Sequence, residues 1–97
     1  MYEIVQTETF SIWLHGLKDK QAKARIRARV ERACLGNFGD WSPEGGKIRA
    51  MRIDYGPGYR LYFIIRKIRI IVLLCGGDKR TQESDIKHAR TLAKEIK

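Results

Sequence analysis

Four cations, Arg52, Arg60, Lys79 and Arg80, stand where successive hairpins in the sequence would bring them together. Arginine offers a planar fork that grips two phosphate oxygens at once, and lysine a compact charge that neutralises one. Fixed on a sheet, such a cluster suits an RNA phosphate. RNA brings its own nucleophile, the 2′-hydroxyl. A protein need only align it with the adjacent phosphorus and stabilise the charge that develops. The chain has no carboxylate cluster of the kind a two-metal nuclease uses, and His15, His88, Cys34 and Cys75 do not stand at metal-ligand spacing. No metal or other cofactor is expected.

The elements that must position these cations are legible between Arg52 and Arg80, which reads as a three-stranded meander. The first hairpin turns at Tyr55-Gly56-Pro57-Gly58, where glycine frees the backbone and proline fixes one φ. The second turns at Arg66-Lys67. Arg52 and Arg60 then lie on neighbouring strands, with Lys79 and Arg80 at the exit of the third. Alternation in the strand over 48–54 puts Arg49, Met51 and Ile53 on one face and Ile48, Ala50 and Arg52 on the other. In the next strand Arg60, Tyr62 and Ile64 alternate with Tyr59, Leu61 and Phe63. The run from Ile68 to Cys75 is almost wholly Ile, Val and Leu, which predicts a strand covered on both sides, broken by Gly76-Gly77.

Upstream, residues 1–6 alternate as an edge or joining strand. Thr7-Glu8-Thr9 offers an N-cap to a helix carrying Phe10, Trp13, Leu14 and Leu17 on one side, ended near Gly16. A second helix runs from about Asp19 to Leu35, with Ala22, Ile26, Val30 and Ala33 as its apolar stripe and Gly36 as its stop. Lys20, Lys23, Arg25, Arg27, Arg29 and Arg32 fill its other sides, either a solvated face or an electrostatic rail for phosphate or an acidic partner. A loop follows over 36–47, with Phe38 and Trp41 placed to pin it to the core or to stack on a base. Thr81 is positioned to cap a last helix, with Asp85 in its first turn and Ile86, Ala89, Ala93 and Ile96 along its apolar side. The predicted order is β-α-α-β-β-β-α: an α+β fold, a small and mainly antiparallel sheet packed against helices, in a single domain over 1–97.

Charge narrows the partner. A net charge of +9 in 97 residues points to an anionic one, nucleic acid or acidic protein. It is unevenly spread: residues 18–36 hold seven basic against two acidic side chains, whereas residues 1–17 hold no Lys or Arg. A hydrophobic content of 43% excludes a disordered basic tail. The start Met1-Tyr2-Glu3 lacks the basic region of a signal peptide, and the longest apolar run, Ile70 to Cys75, is too short to span a membrane. A cytoplasmic protein with two reduced thiols and no membrane partner is expected.

Tyr55-Gly56-Pro57-Gly58-Tyr59-Arg60-Leu61-Tyr62-Phe63 and Leu73-Leu74-Cys75-Gly76-Gly77-Asp78-Lys79 resemble the signatures of HigB-like addiction-module killer proteins in the RelE/ParE toxin superfamily. Phe10, Trp13-Leu14 and Gly36-Asn37-Phe38-Gly39-Asp40 fit the same pattern, so the resemblance covers almost the whole chain. It implies a RelE-like fold and a bacterial type II toxin neutralised by a cognate antitoxin, a helix-turn-helix protein. It also implies a site of scattered Arg and Lys on the concave sheet face. By position, Arg60 is the arginine that follows the Gly-Tyr of the hairpin, Lys79 or Arg80 the cation after the last strand, and Arg52 the cation of the preceding strand. Lys47, Arg49 and Tyr62, with Lys23 and Arg27 on the basic helix, are the candidate RNA contacts. Asp85 falls where RelE-type members have a tyrosine, and His88 is the counterpart of a C-terminal histidine in HigB-type members. The activity so implied is cleavage of mRNA on the ribosome. The alternatives are a ParE-like non-catalytic inhibitor of DNA gyrase and a non-toxic basic RNA-binding module.

Overall fold

A computed structural model describes residues 1–96. Five strands form one mixed sheet: β1 (Glu3–Gln6), β2 (Trp41–Pro43), β3 (Arg49–Ile53), β4 (Tyr59–Arg66) and β5 (Ile70–Asp78). Three helices accompany them: α1 (Glu8–Gly16), α2 (Lys20–Cys34) and α3 (Gln82–Glu95), the last preceded by a 3₁₀ turn over Lys79–Thr81. Across the sheet the order is β1-β5-β4-β3-β2, with β1 parallel to β5 and every other pair antiparallel. No helix among the described residues is long and apolar enough to cross a membrane.

Each face of the sheet has its own core. Met51, Ile53, Leu61, Phe63, Ile71 and Leu73 pack against Phe10 and Leu14 of α1 and Ala22, Ile26 and Ala33 of α2. Ala50, Tyr62, Ile64, Val72, Leu74 and Cys75 pack under α3, around Ala89. Coverage on both sides explains why Ile71 to Cys75 reads as an unbroken apolar run. The two upstream caps form as their residue types dictate. Thr7 accepts from the Phe10 amide at 3.0 Å, and Asp19 from Gln21 and Ala22 at 2.9 and 3.2 Å. Both cysteines are free.

Four expectations need correction. The loop over 36–47 contains a strand: Trp41–Pro43 adds β2 to the sheet edge, where its proline is tolerated because among the described residues no further strand pairs there. β5 does not stop at Gly76-Gly77 but runs through both to Asp78, since glycines there remove side chains that would collide with neighbours above and below. The second hairpin turns over 67–69, with Lys67 and Ile68 both at positive φ, so β5 starts at Ile70. Thr81 makes no capping hydrogen bond to the backbone of α3; its hydroxyl donates to Asp85 instead, and Asp78 caps the 3₁₀ turn by accepting from the Arg80 amide at 2.8 Å.

β5 also carries a bulge. Tyr62 pairs with Cys75 but Phe63 pairs with Leu73, leaving Leu74 as the extra residue. Thr7 locks it, its amide donating to the Leu73 carbonyl at 3.0 Å and its hydroxyl to the Leu74 carbonyl at 2.6 Å. Past the bulge, Gly76 faces α1 and Gly77 faces α3.

Candidate functional site

Arg52, Arg60 and Gly77 form one row across β3, β4 and β5, and Ala50, Tyr62 and Cys75 form the next row on the same face. At the first row the sheet opens into a cleft of about 310 Å³ lined by Asp40, Arg52, Ile53, Asp54, Gly58, Tyr59, Arg60 and Lys79. Three of the four cations anticipated for the site are therefore in one place.

They are not equivalent. Arg52 donates from Nε and a terminal nitrogen to Asp40 Oδ1 at 3.2 and 2.7 Å, and from its other terminal nitrogen to Ser42 Oγ at 3.3 Å. These bonds hold the Asp40 carboxyl below the usual carboxylate range and raise Arg52 above its own ordinary value. Arg60 makes no ion pair and no side-chain hydrogen bond among the described residues, and its Nε is buried without an acceptor. An ion pair of Arg60 with Asp54 or Asp78 is not formed. Arg60 therefore lines the cleft with a guanidinium that no described side chain engages. Lys79 is exposed, and its methylenes lie across the first hairpin turn at Gly58. Gly58 is at φ +82°, where a β-carbon would strain the backbone, and the Lys79 methylenes rest over it.

The remaining candidates are placed elsewhere. Arg80 is paired with Asp78 at 3.0 Å, its side chain 81% exposed, and it does not line the cleft. Tyr62 shares the Arg60 face, as its spacing predicts, but α3 covers it completely, and its hydroxyl is buried with no partner. It is a core residue rather than an RNA contact. Arg49 lies on the opposite face, its guanidinium 5.2 Å from the Trp41 ring. Lys47 sits at the far end of the sheet, in a groove with Arg66 and Lys67. Lys23 and Arg27 belong to α2, behind the sheet; Lys23 donates to the His15 carbonyl at 3.0 Å and Arg27 borders a separate groove beside Phe10 and Leu14. Asp85 accepts from the Thr81 hydroxyl at 2.5 Å and lies over Gly77, at the end of the arginine row but outside the cleft lining. His88 is exposed one turn further along α3.

Much of the positive charge on α2 is structural. Arg29 donates to the carbonyls of Arg52, Phe38 and Asp40 at 2.6, 2.9 and 3.2 Å, tying the loop before β2 to the end of β3. Burial and the nearby Arg32 charge lower its pKa from the ordinary value, yet as an arginine it remains charged. Arg25 lies 4.5 Å from the centre of the Tyr55 ring, and the Tyr55 hydroxyl donates to Asp19 at 2.9 Å, so α2 also fixes the first hairpin turn. Phe38 packs on Tyr2, Trp41 and Phe63, pinning its loop to the core.

Asp40 and Arg29 are the members of the site that the sequence conceals. Asp40 meets Arg52 because β2 pairs with β3, and a three-residue strand containing proline is too short to show periodicity. Among the described residues no group of three or more His, Cys, Asp or Glu is placed to hold a metal ion.

No protein-family model matches this chain. It is similar to an uncharacterized protein of Haemophilus influenzae strain Rd, with 48% identity over 94 residues that cover 97% of this chain and 95% of that one. At that identity and coverage, the chain belongs to the same family as the Haemophilus influenzae protein.

Proposed function

We propose that this chain is the toxin of a bacterial type II toxin–antitoxin pair, a cytoplasmic metal-independent endoribonuclease that cuts mRNA presented by the ribosome. The observation that carries this reading is Arg60: a guanidinium with no ion pair and no side-chain hydrogen bond among the described residues, beside Lys79 in an open cleft. The terminal nitrogens of that guanidinium are the ones that can meet a phosphate in the cleft, as a fork onto two oxygens. The α+β architecture and the resemblance of the 55–63 and 73–79 segments to HigB-like proteins support the same reading, including a RelE-like fold and an antitoxin partner.

In this reaction the ribose 2′-oxygen attacks the adjacent phosphorus and the bond to O5′ breaks, giving a 2′,3′-cyclic phosphate and a 5′-hydroxyl. The 2′-hydroxyl proton passes to a base, and a proton is delivered to the departing O5′. Arg60 holds two non-bridging oxygens and stabilises the extra negative charge of the phosphorane, where a fixed donor is worth most. Among the described residues Lys79 is the one ammonium lining the cleft, and it is the candidate donor to O5′. The ribosome supplies the geometry of the substrate.

The test is induction of the chain in cells, with primer extension on cellular mRNAs beside a gyrase supercoiling assay. New 5′ ends within translated messages are expected. Loss of supercoiling with intact messages would move the protein to the gyrase inhibitors.

A further inference from the structure

Arg52 and Arg60 face each other as a directly paired couple across β3 and β4. Like charges at such a position repel and destabilise the pairing. Asp40 removes the conflict by taking Arg52 on two nitrogens, while Ser42 takes the third. The carboxylate is not on a free loop. The Asp40 carbonyl accepts from the Arg52 amide at 2.8 Å and from Arg29 at 3.2 Å, and Arg29 also holds the carbonyls on either side of the junction, Phe38 and Arg52. Gly39 lets this happen: at φ +61° its backbone lies against the Arg29 guanidinium, where a β-carbon would come within 2.9 Å. A second carboxylate repeats the device at the exit of β5, where Asp78 neutralises Arg80.

We infer that Asp40 is a positioning residue that keeps Arg52 out of contact with the bound anion, so that the cleft takes one phosphate on Arg60 and Lys79 alone. The inference rests on the proposed function only in identifying that phosphate as part of RNA. An exposed ion pair is weak by itself, and Asp40 is 61% exposed. What makes this one persist against a competing phosphate is its anchorage. With the main chain fixed on both sides of it, the carboxylate stays beside Arg52, whereas a phosphate has to come from solution. The consequence is register. Were Arg52 free, a phosphate could settle on either arginine of the pair, and the scissile group would lose its single seat beside Lys79.

The experiment follows the arginine Nε–Hε signals of the full chain by ¹⁵N nuclear magnetic resonance during titration with inorganic phosphate. Arg52→Gln and Arg60→Gln assign the two signals, and the backbone amide spectrum of each variant reports its fold. In the wild type the Arg60 signal should move and the Arg52 signal should not. In Asp40→Asn both should move, and phosphate should bind roughly two- to fivefold more tightly, the worth of one exposed ion pair. Asp40→Asn combined with Arg52→Gln should return to wild-type affinity. Movement of Arg52 in the wild type, unchanged or weaker binding in Asp40→Asn, or no movement of either arginine would each overturn the inference. If the signals behave as expected but cells show no mRNA cleavage, the RNA reading fails and the role of Asp40 stands.

Discussion

The Asp85 carboxylate rests directly on the backbone of Gly77, so that a β-carbon at residue 77 would overlap Oδ2 and lie 2.8 Å from the carboxyl carbon. Gly76 does the same for Trp13 on the other face, where a β-carbon would come within 2.6 Å of the indole Cη2. The two glycines thus let α1 and α3 close on the same stretch of β5, at the strand end that delivers Lys79. Gly77→Ala should cost roughly 1–3 kcal/mol, the usual cost of overpacking. At about 4–8 °C per kcal/mol for a domain of this size, thermal unfolding reports it readily. An unchanged midpoint would mean that Asp85 yields freely and does not fix the start of α3.

Tyr62 carries a hydroxyl that is buried and unpaired, under a helix that covers the ring completely. Tyr62→Phe removes the group and keeps the packing, so stability should rise by about 1–2 kcal/mol, measured as a higher denaturation midpoint in urea. RNA cleavage should be unaffected. A folded but inactive Tyr62→Phe protein would return this residue to the reaction.

Two buried groups contribute to the loss of stability in alkali. Burial, with the nearby Asp85 charge, pushes both the Cys75 thiol and the Tyr62 hydroxyl up to about 12, from ordinary values of 9.0 and 10.0. The folded state therefore holds these protons more tightly than the unfolded chain. Their stabilisation is complete below pH 9 and is lost as pH rises from 9 toward 12. A Cys75→Val, Tyr62→Phe protein should show a shallower fall in thermal midpoint over that window than the wild type. At pH 8 a thiol reagent should modify the half-buried Cys34 and spare Cys75. Equal modification of both would show that the α3 side opens readily.

The face assignments on β3 and β4 were legible because strand alternation is strict, and it placed Arg52, Arg60 and Tyr62 on one surface and Arg49 on the other. The cap at Thr7 was legible because its side chain acts within three residues, and Asp19 was read as the start of the second helix, which it caps. What stayed hidden depends on distant contacts. Nothing local says that α3 seals Tyr62 or that a bulge at Leu74 turns Gly77 toward Asp85. The basic face of α2 was legible as charge but not as use. Arg29 spends its guanidinium on backbone carbonyls and Arg25 on a tyrosine ring, so net charge overstates the surface offered to a partner. Only tertiary structure separates a guanidinium already engaged, as on Arg52, from one that no described residue engages, as on Arg60.

Arg60 decides the matter. Single-turnover cleavage of mRNA on programmed ribosomes should fall about a hundredfold in Arg60→Ala, the loss of roughly 3 kcal/mol of transition-state stabilisation expected for one charge-assisted donor. Arg60→Lys should recover little of it, because the charge returns without the fork. Thermal midpoints of both variants should stay at or above the wild-type value, since among the described residues the side chain has no hydrogen bond or ion pair to lose. A stable Arg60→Ala protein that cleaves at the wild-type rate would contradict the assignment of this cleft as the site.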